Sequence, residues 1–151
     1  MFLRQWDPDA QYPDGLIRIY RSWVLEISYR QHTLGCMLIF ARRAVPRIAS
    51  LTNDELTDLR HVIREIEFAL GYDRRFAPDH LNYLQLGNVV RWLHFQCIPR
   101  YAGERSFAGR TWNDDTWGGP PSWVTVDADR VLVRRLRDAI VHAMPVCTPG
   151  I

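Results

Sequence analysis

The chain has 151 residues, of which 47% are hydrophobic and 24% charged, the make-up of a globular protein that can build a core without disulfides or a metal. A net charge of +2 argues against the broad basic surface of a protein that binds nucleic-acid polymers, while leaving room for a local phosphate pocket. Three widely spaced cysteines, Cys36, Cys97 and Cys147, contain no Cys-x-x-Cys pair and argue against a zinc site or a disulfide framework.

The length fits a single domain over residues 1–151. The first fifteen residues carry Arg4, Asp7, Asp9 and Asp14 and read as an irregular arm rather than a signal peptide. The longest apolar run, Cys36 to Ala41, is too short to span a bilayer, so no membrane partner is expected and the simplest location is cytoplasmic. Leu16 to Tyr20 and Trp23 to Tyr29 are rich in Ile, Val, Tyr and Trp and predict two strands. Leu34 to Phe40 predicts a third.

The clearest helix follows. Thr52 with Glu55 three residues later matches a capping box. Leu59, Val62, Ile63, Ile66 and Leu70 then share one face, and Gly71 is the expected stop. Asn82 to Leu86 predicts a strand, Gly87-Asn88 a turn, and Val89 to Ile98 another strand ended by Pro99. Residues 101–151 form a tail, Gly-, Trp- and Asp-rich as far as Trp123. A last helix capped by Asp127 or Asp129 follows, with Leu132, Leu136, Ile140 and Ala143 as its stripe. Strands interrupted by helices in this order predict an α+β fold: an antiparallel sheet of about five strands, the long helix packed on it, and a C-terminal helix.

Side chains alternate faces along a strand. On the predicted strand, Trp92, His94 and Gln96 therefore share one face, and Leu93, Phe95 and Cys97 share the other, which looks like core. His94 and Gln96 then stand about 7 Å apart along the strand. Backbone N–H groups at Gly87-Asn88 are placed to meet an anion.

The same residues carry a resemblance. The stretch from Asn82 through Gly87, Asn88 and Val89 to Trp92-Leu93-His94-Phe95-Gln96-Cys97-Ile98-Pro99-Arg100 resembles the signature of the histidine-triad (HIT) family: an Asn, a Gly-containing turn, His-x-His-x-His on a strand, then Ile-Pro-Arg. Gly35 to Arg43 and Leu51 to Leu56 resemble the family's upstream strand and helix start. The resemblance implies a HIT-like fold and chemistry at the α-phosphate of a nucleotide conjugate, with purine nucleotides the usual ligands. It implies His94 as nucleophile and Gln96 as the catalytic phosphate or leaving-group contact. Asn82, Gly87, Asn88, Val89 and Trp92 would hold the nucleotide, and the chain would pair as a homodimer. No cofactor and no metal is implied, and His32, His61, His80 and His142 show no ligand spacing.

The triad is altered. Trp92 stands for the first His and Gln96 for the third, while Cys36 and Ala44 replace two upstream histidines. A Gln at the third place resembles the branch akin to galactose-1-phosphate uridylyltransferase, whose members transfer nucleotides. Gln donates hydrogen bonds but cannot give up a proton, which favours leaving groups that need no strong acid. Indole is donor-only, so Trp92 is expected to weaken or rearrange the network that orients His94. Hydrolase and nucleotidyl transferase are both open, as are a catalytically degenerate nucleotide-binding protein and a scaffold repurposed for a specialised metabolite. Arg42, Arg43 and Arg100 are candidates to neutralise a nucleotide. Arg130, Arg134, Arg135 and Arg137 read as a solvated helix face. Trp112, Trp117 and Trp123 read first as anchors of a loop, and second as a wall of the site.

Overall fold

The computed structural model describes residues 13–124 and 128–146. Most of the N-terminal arm, Asp127 and Cys147 lie outside the described residues. The strands, in chain order, are β1 (Leu16–Ile19), β2 (Trp23–Ile27), β3 (Met37–Ala41), β4 (His80–Leu84), β5 (His94–Arg100), β6 (Arg105–Phe107) and β7 (Arg110–Trp112). The helices are α1 (Asn53–Tyr72) and α2 (Arg130–Ala143). β1 to β5 form one antiparallel sheet in the order β1-β2-β3-β5-β4, and β6 pairs with β7 in a separate hairpin. This is the α+β, HIT-like arrangement expected from the sequence.

Alternation sorts the sheet into two faces. Trp23, Leu25 and Ile27 of β2, Met37, Ile39 and Ala41 of β3, and Cys97 of β5 are buried in one cluster with Val62, Ile66 and Leu70 of α1 and Val133, Leu136 and Ile140 of α2. Both helices therefore lie on this face, held by apolar burial. α1 starts as its sequence dictates. Glu55 N–H donates to Thr52 Oγ1 at 3.2 Å, and Thr52 N–H donates to the Glu55 carboxylate at 2.8 Å. Asp129 caps α2 by accepting from Leu132 N–H at 2.9 Å.

Three expectations are corrected. Gly71 does not stop α1: the helix runs through it to Tyr72 and closes at Asp73, whose N–H reaches the Ala69 carbonyl. β5 starts at His94, not Val89. Residues 85–93 are irregular, and Leu93 is held by both backbone groups, its N–H to Val45 and its carbonyl to Ala41 N–H. Pro99 does not stop β5, which pairs through Arg100 with His80 of β4. The missing N–H of Pro99 falls on the side where the β3 pairing has already ended at Cys97, and the Pro99 carbonyl there accepts from the Thr33 hydroxyl. The tail is also less irregular than expected, because β6 and β7 lie within it.

Candidate functional site

The sheet face away from the helices carries His94, Gln96, Ile98 and Arg100 of β5. Cross-strand register then fixes their neighbours. Val24, Phe40 and His94 form one row, and Glu26, Leu38, Gln96 and Leu84 form the next. Asn82 pairs with Ile98 in the row beyond Gln96.

His94 is held from two sides. Its ring stacks on Phe40 with centroids 5.3 Å apart and planes 26° apart. Its Nδ1 lies 2.8 Å from the Trp92 carbonyl. A carbonyl only accepts, so Nδ1 carries a proton, and in the neutral form of the ring the lone pair is therefore on Nε2. The Trp92 indole points elsewhere: its Nε1–H donates to the Ala41 carbonyl at 2.6 Å, and the ring packs against the core. The altered first triad position thus contributes its backbone, and the expected disturbance of His94 by an indole does not arise. Parity unites His94 with Gln96 but does not extend to Trp92, which precedes the regular strand.

Gln96 is half-buried beside His94, and among the described residues its carboxamide makes no hydrogen bond to another side chain or backbone group. Residues 85–93 leave β4 opposite Gln96 and return at His94, so Gly87, Asn88 and Val89 lie on the connection at the His94 end of the sheet. Gly87 has φ +65°, a left-handed conformation, and a Cβ there would sit 2.6 Å from the Gln85 side-chain nitrogen. Asn88 is exposed, and Val89 is 81% exposed.

Asn82 is not brought to His94. The two are about 13 Å apart along the strand direction, and Asn82 Oδ1 accepts from Arg100 Nη1 at 2.7 Å. Arg100, 3% exposed, is not available to a nucleotide either. Its remaining donors reach the Asp114 carboxylate at 2.6 and 3.0 Å, the Thr116 carbonyl at 2.7 Å and the Gly119 carbonyl at 3.0 Å. All five guanidinium N–H groups are spent. Burial pushes the Asp114 carboxyl up, but the hydrogen bonds from Arg100 and Tyr101 N–H outweigh it and hold the group below its ordinary value. Arg43 is likewise committed, with Nε and Nη2 on Glu55 at 2.7 and 2.8 Å. Arg42 donates to the carbonyls of Tyr20 and Arg21.

Two of the three tail tryptophans are anchors, Trp112 from β7 and Trp123 from the loop, while Trp117 is exposed. Trp112 Nε1–H reaches the Gln31 carbonyl at 3.3 Å, and Trp123 packs edge-on against His32 at 4.6 Å. Val124 N–H donates to His32 Nδ1 at 2.9 Å. Burial, then the charge of Arg30, lowers the His32 pKa, which keeps Nδ1 an acceptor.

Sequence reasoning missed Glu26. It is 3% exposed, lies on the His94 face, and its Oε1 has no hydrogen-bond partner. Burial pushes its carboxyl up to about 9. The signal was an acid inside the apolar run Trp23-Val24-Leu25-Glu26-Ile27. Among the described residues no group of three His, Cys, Asp or Glu could hold a metal, and no helix is long and apolar enough to cross a membrane.

The HIT domain family model matches residues 29–103. Among solved structures the chain is similar to a histidine triad protein from Bradyrhizobium japonicum, with a TM-score of 0.62 and 21% identity, covering 92% of this chain and 98% of that one. A histidine triad protein from Sinorhizobium meliloti is similar at a TM-score of 0.60 and 20% identity, covering 87% and 91%. The diadenosine triphosphate hydrolase of Plasmodium falciparum, solved with cyclomarin A, is similar at a TM-score of 0.61 and 10% identity, covering 85% and 75%. At these identities the likeness speaks for the fold. No match is found among curated protein sequences.

Proposed function

Because the chain belongs to the histidine-triad family, we propose that it binds a nucleotide conjugate and cleaves or transfers it at the α-phosphate, with His94 Nε2 as the attacking atom. The observation that carries this reading is the 2.8 Å contact of Nδ1 with the Trp92 carbonyl, which leaves the Nε2 lone pair free on the open face. The fold shared with a diadenosine triphosphate hydrolase supports a nucleotide as ligand.

In the first step the Nε2 lone pair forms a bond to phosphorus, and the bond from phosphorus to the leaving oxygen breaks. The leaving group departs with that electron pair. In the second step water or an acceptor hydroxyl attacks phosphorus, the P–N bond breaks and returns its electron pair to Nε2, and the proton of the attacking oxygen is released to solvent. Gln96 donates a hydrogen bond to a phosphate oxygen but supplies no proton, so the reaction suits leaving groups stable as anions, such as phosphates. Gly87, Asn88 and the Val89 backbone bind phosphate. Asn82, with its oxygen held by Arg100, presents its NH₂ at the far end of the site. Trp92 takes part through its backbone carbonyl, which holds the His94 ring.

We expect the homodimer to form by pairing of β4, an edge strand of the sheet. The exposed, stacked Phe68 and Tyr72 of α1 would flank it. The test of activity is incubation with an α-phosphate-labelled purine nucleotide conjugate, followed by a quench in base. Labelled protein that His94→Ala abolishes supports the reading. Ligand binding without label or turnover would instead establish a catalytically degenerate nucleotide-binding protein, the alternative favoured by the loss of two motif histidines.

A further inference from the structure

Glu26 poses a physical question that folding does not answer. A buried polar atom without a partner costs stability, commonly about 1–3 kcal/mol, and such atoms are few in native proteins. Glu26 Oε1 is one of them. Hydrophobic neighbours surround its sequence position, so a leucine would serve the sheet better.

Its place suggests what the missing partner is. Glu26 lies in the row Leu16, Glu26, Leu38, Gln96, Leu84, between Leu16 of the edge strand β1 and Leu38 of β3. Leu38, Gln96 and Leu84 are each partly exposed, whereas Glu26 is covered. Leu38, Gln96 and Leu84 thus form an open strip that runs up to the covered carboxyl of Glu26. Two strand spacings, about 10 Å, separate Glu26 from Gln96. A molecule whose phosphate lies at His94 and Gln96 and whose body rests on Leu38 ends against Glu26.

We propose that Glu26 is a ligand-binding residue of this site, and that its carboxyl reads the hydrogen-bonding edge of the base carried by the nucleotide. This rests on the nucleotide reading above. A protonated carboxyl offers a donor beside an acceptor. That pattern matches a base edge presenting a ring nitrogen beside an N–H, as adenine does. Burial favours the protonated form across the neutral range, since a lone carboxylate in an apolar setting is costly. The apolar run around Glu26 therefore keeps the donor in place.

The test measures dissociation constants of adenosine 5′-monophosphate and ribose 5-phosphate for the wild type, Glu26→Gln and Glu26→Leu. Thermal melting would show that all three are folded. Glu26→Leu should weaken the adenosine compound about tenfold, the loss of one good hydrogen bond in a dry pocket, and leave ribose 5-phosphate unchanged. Glu26→Gln, which keeps a donor beside an acceptor, should bind like the wild type. Above about pH 9 the wild type should lose affinity for the adenosine compound while Glu26→Gln does not. Equal affinity of wild type and Glu26→Leu for the adenosine compound overturns the assignment and leaves the nucleotide site intact. A Glu26→Gln variant as weak as Glu26→Leu overturns the neutral-acid reading. Failure of the wild type to bind any phosphate ligand overturns the nucleotide reading and this inference together.

Discussion

Two glutamates are buried on opposite sides of the sheet, and their surroundings differ. Glu65, 7% exposed, faces β1 from α1 and is saturated. It accepts from Arg18 at 2.8 Å and from the Tyr20 hydroxyl at 2.5 Å, with His61 Nε2 at 3.3 Å. Glu26, 3% exposed, has an oxygen with no partner. The first is what a folding residue looks like, since every polar group it buries is answered. The second retains hydrogen-bonding capacity that the fold does not use. The same division holds for the cations. Arg100 and Arg43 spend their donors inside the protein, while Gln96 beside His94 keeps its carboxamide uncommitted. On the face that carries His94, both Glu26 and Gln96 keep hydrogen-bonding capacity that the fold does not use.

The contrast can be broken first on its structural side. Removing Arg100 as Arg100→Ala strands the buried Asp114 carboxylate and releases the carbonyls of Thr116 and Gly119. Loss of one partner of a buried pair costs about 3–5 kcal/mol, so the melting temperature should fall by about 10 °C for a chain of this size. Glu65→Leu should cost somewhat less, about 2–3 kcal/mol, because Arg18 is partly exposed and can regain water. Differential scanning calorimetry at pH 7 checks both.

Glu26 should behave in the opposite sense. Its folded-state pKa, about 9, lies above the ordinary 4.5, so the proton is bound more tightly in the folded chain. The associated stability is complete below about pH 4.5 and is lost as pH rises through about 9. In that window the slope is about 1.4 kcal/mol per pH unit, amounting to about 3 kcal/mol by pH 7. The stability difference between Glu26→Gln and wild type should therefore grow from pH 5 to pH 8. Urea titrations at several pH values measure it, and a pH-independent difference would show that Glu26 is ionised or solvated in the fold. Together with the loss of ligand affinity, this would make Glu26 a residue that costs stability and serves binding.

The smallest effect is expected at the start of α1. Thr52→Ala should cost about 1 kcal/mol, as loss of an N-cap does, and leave ligand binding untouched. A binding change there would mean that the two sides of the sheet are coupled.

How much of this was legible in the sequence follows from how local each signal is. The capping box, the apolar stripe of α1 and the Asp129 cap are set within a few residues, and they read correctly. The motif order around His94 also carried the fold. The start of β5 did not read correctly, because Leu93 is captured by Val45 and Ala41, more than 45 residues away in sequence. Arg100 read as a ligand contact because Asp114, its partner, sits in a tail with no periodicity. Trp92 was judged by its side chain, whereas its carbonyl does the work. Glu26 was visible as an acid among apolar residues, but only cross-strand register joins it to Gln96.

The central claim is that a backbone carbonyl orients His94 and leaves Nε2 as the nucleophile whatever side chain stands at position 92. Nitrogen-15 spectra of the histidine side chains, with His94 assigned by its loss in His94→Ala, test it most directly. In the neutral form of the ring, reached by raising the pH until the spectrum stops changing, His94 should show a protonated Nδ1 and an unprotonated Nε2 in both the wild type and Trp92→Phe. A proton on Nε2 of that neutral ring in the wild type, or a change of tautomer in Trp92→Phe, would contradict the account.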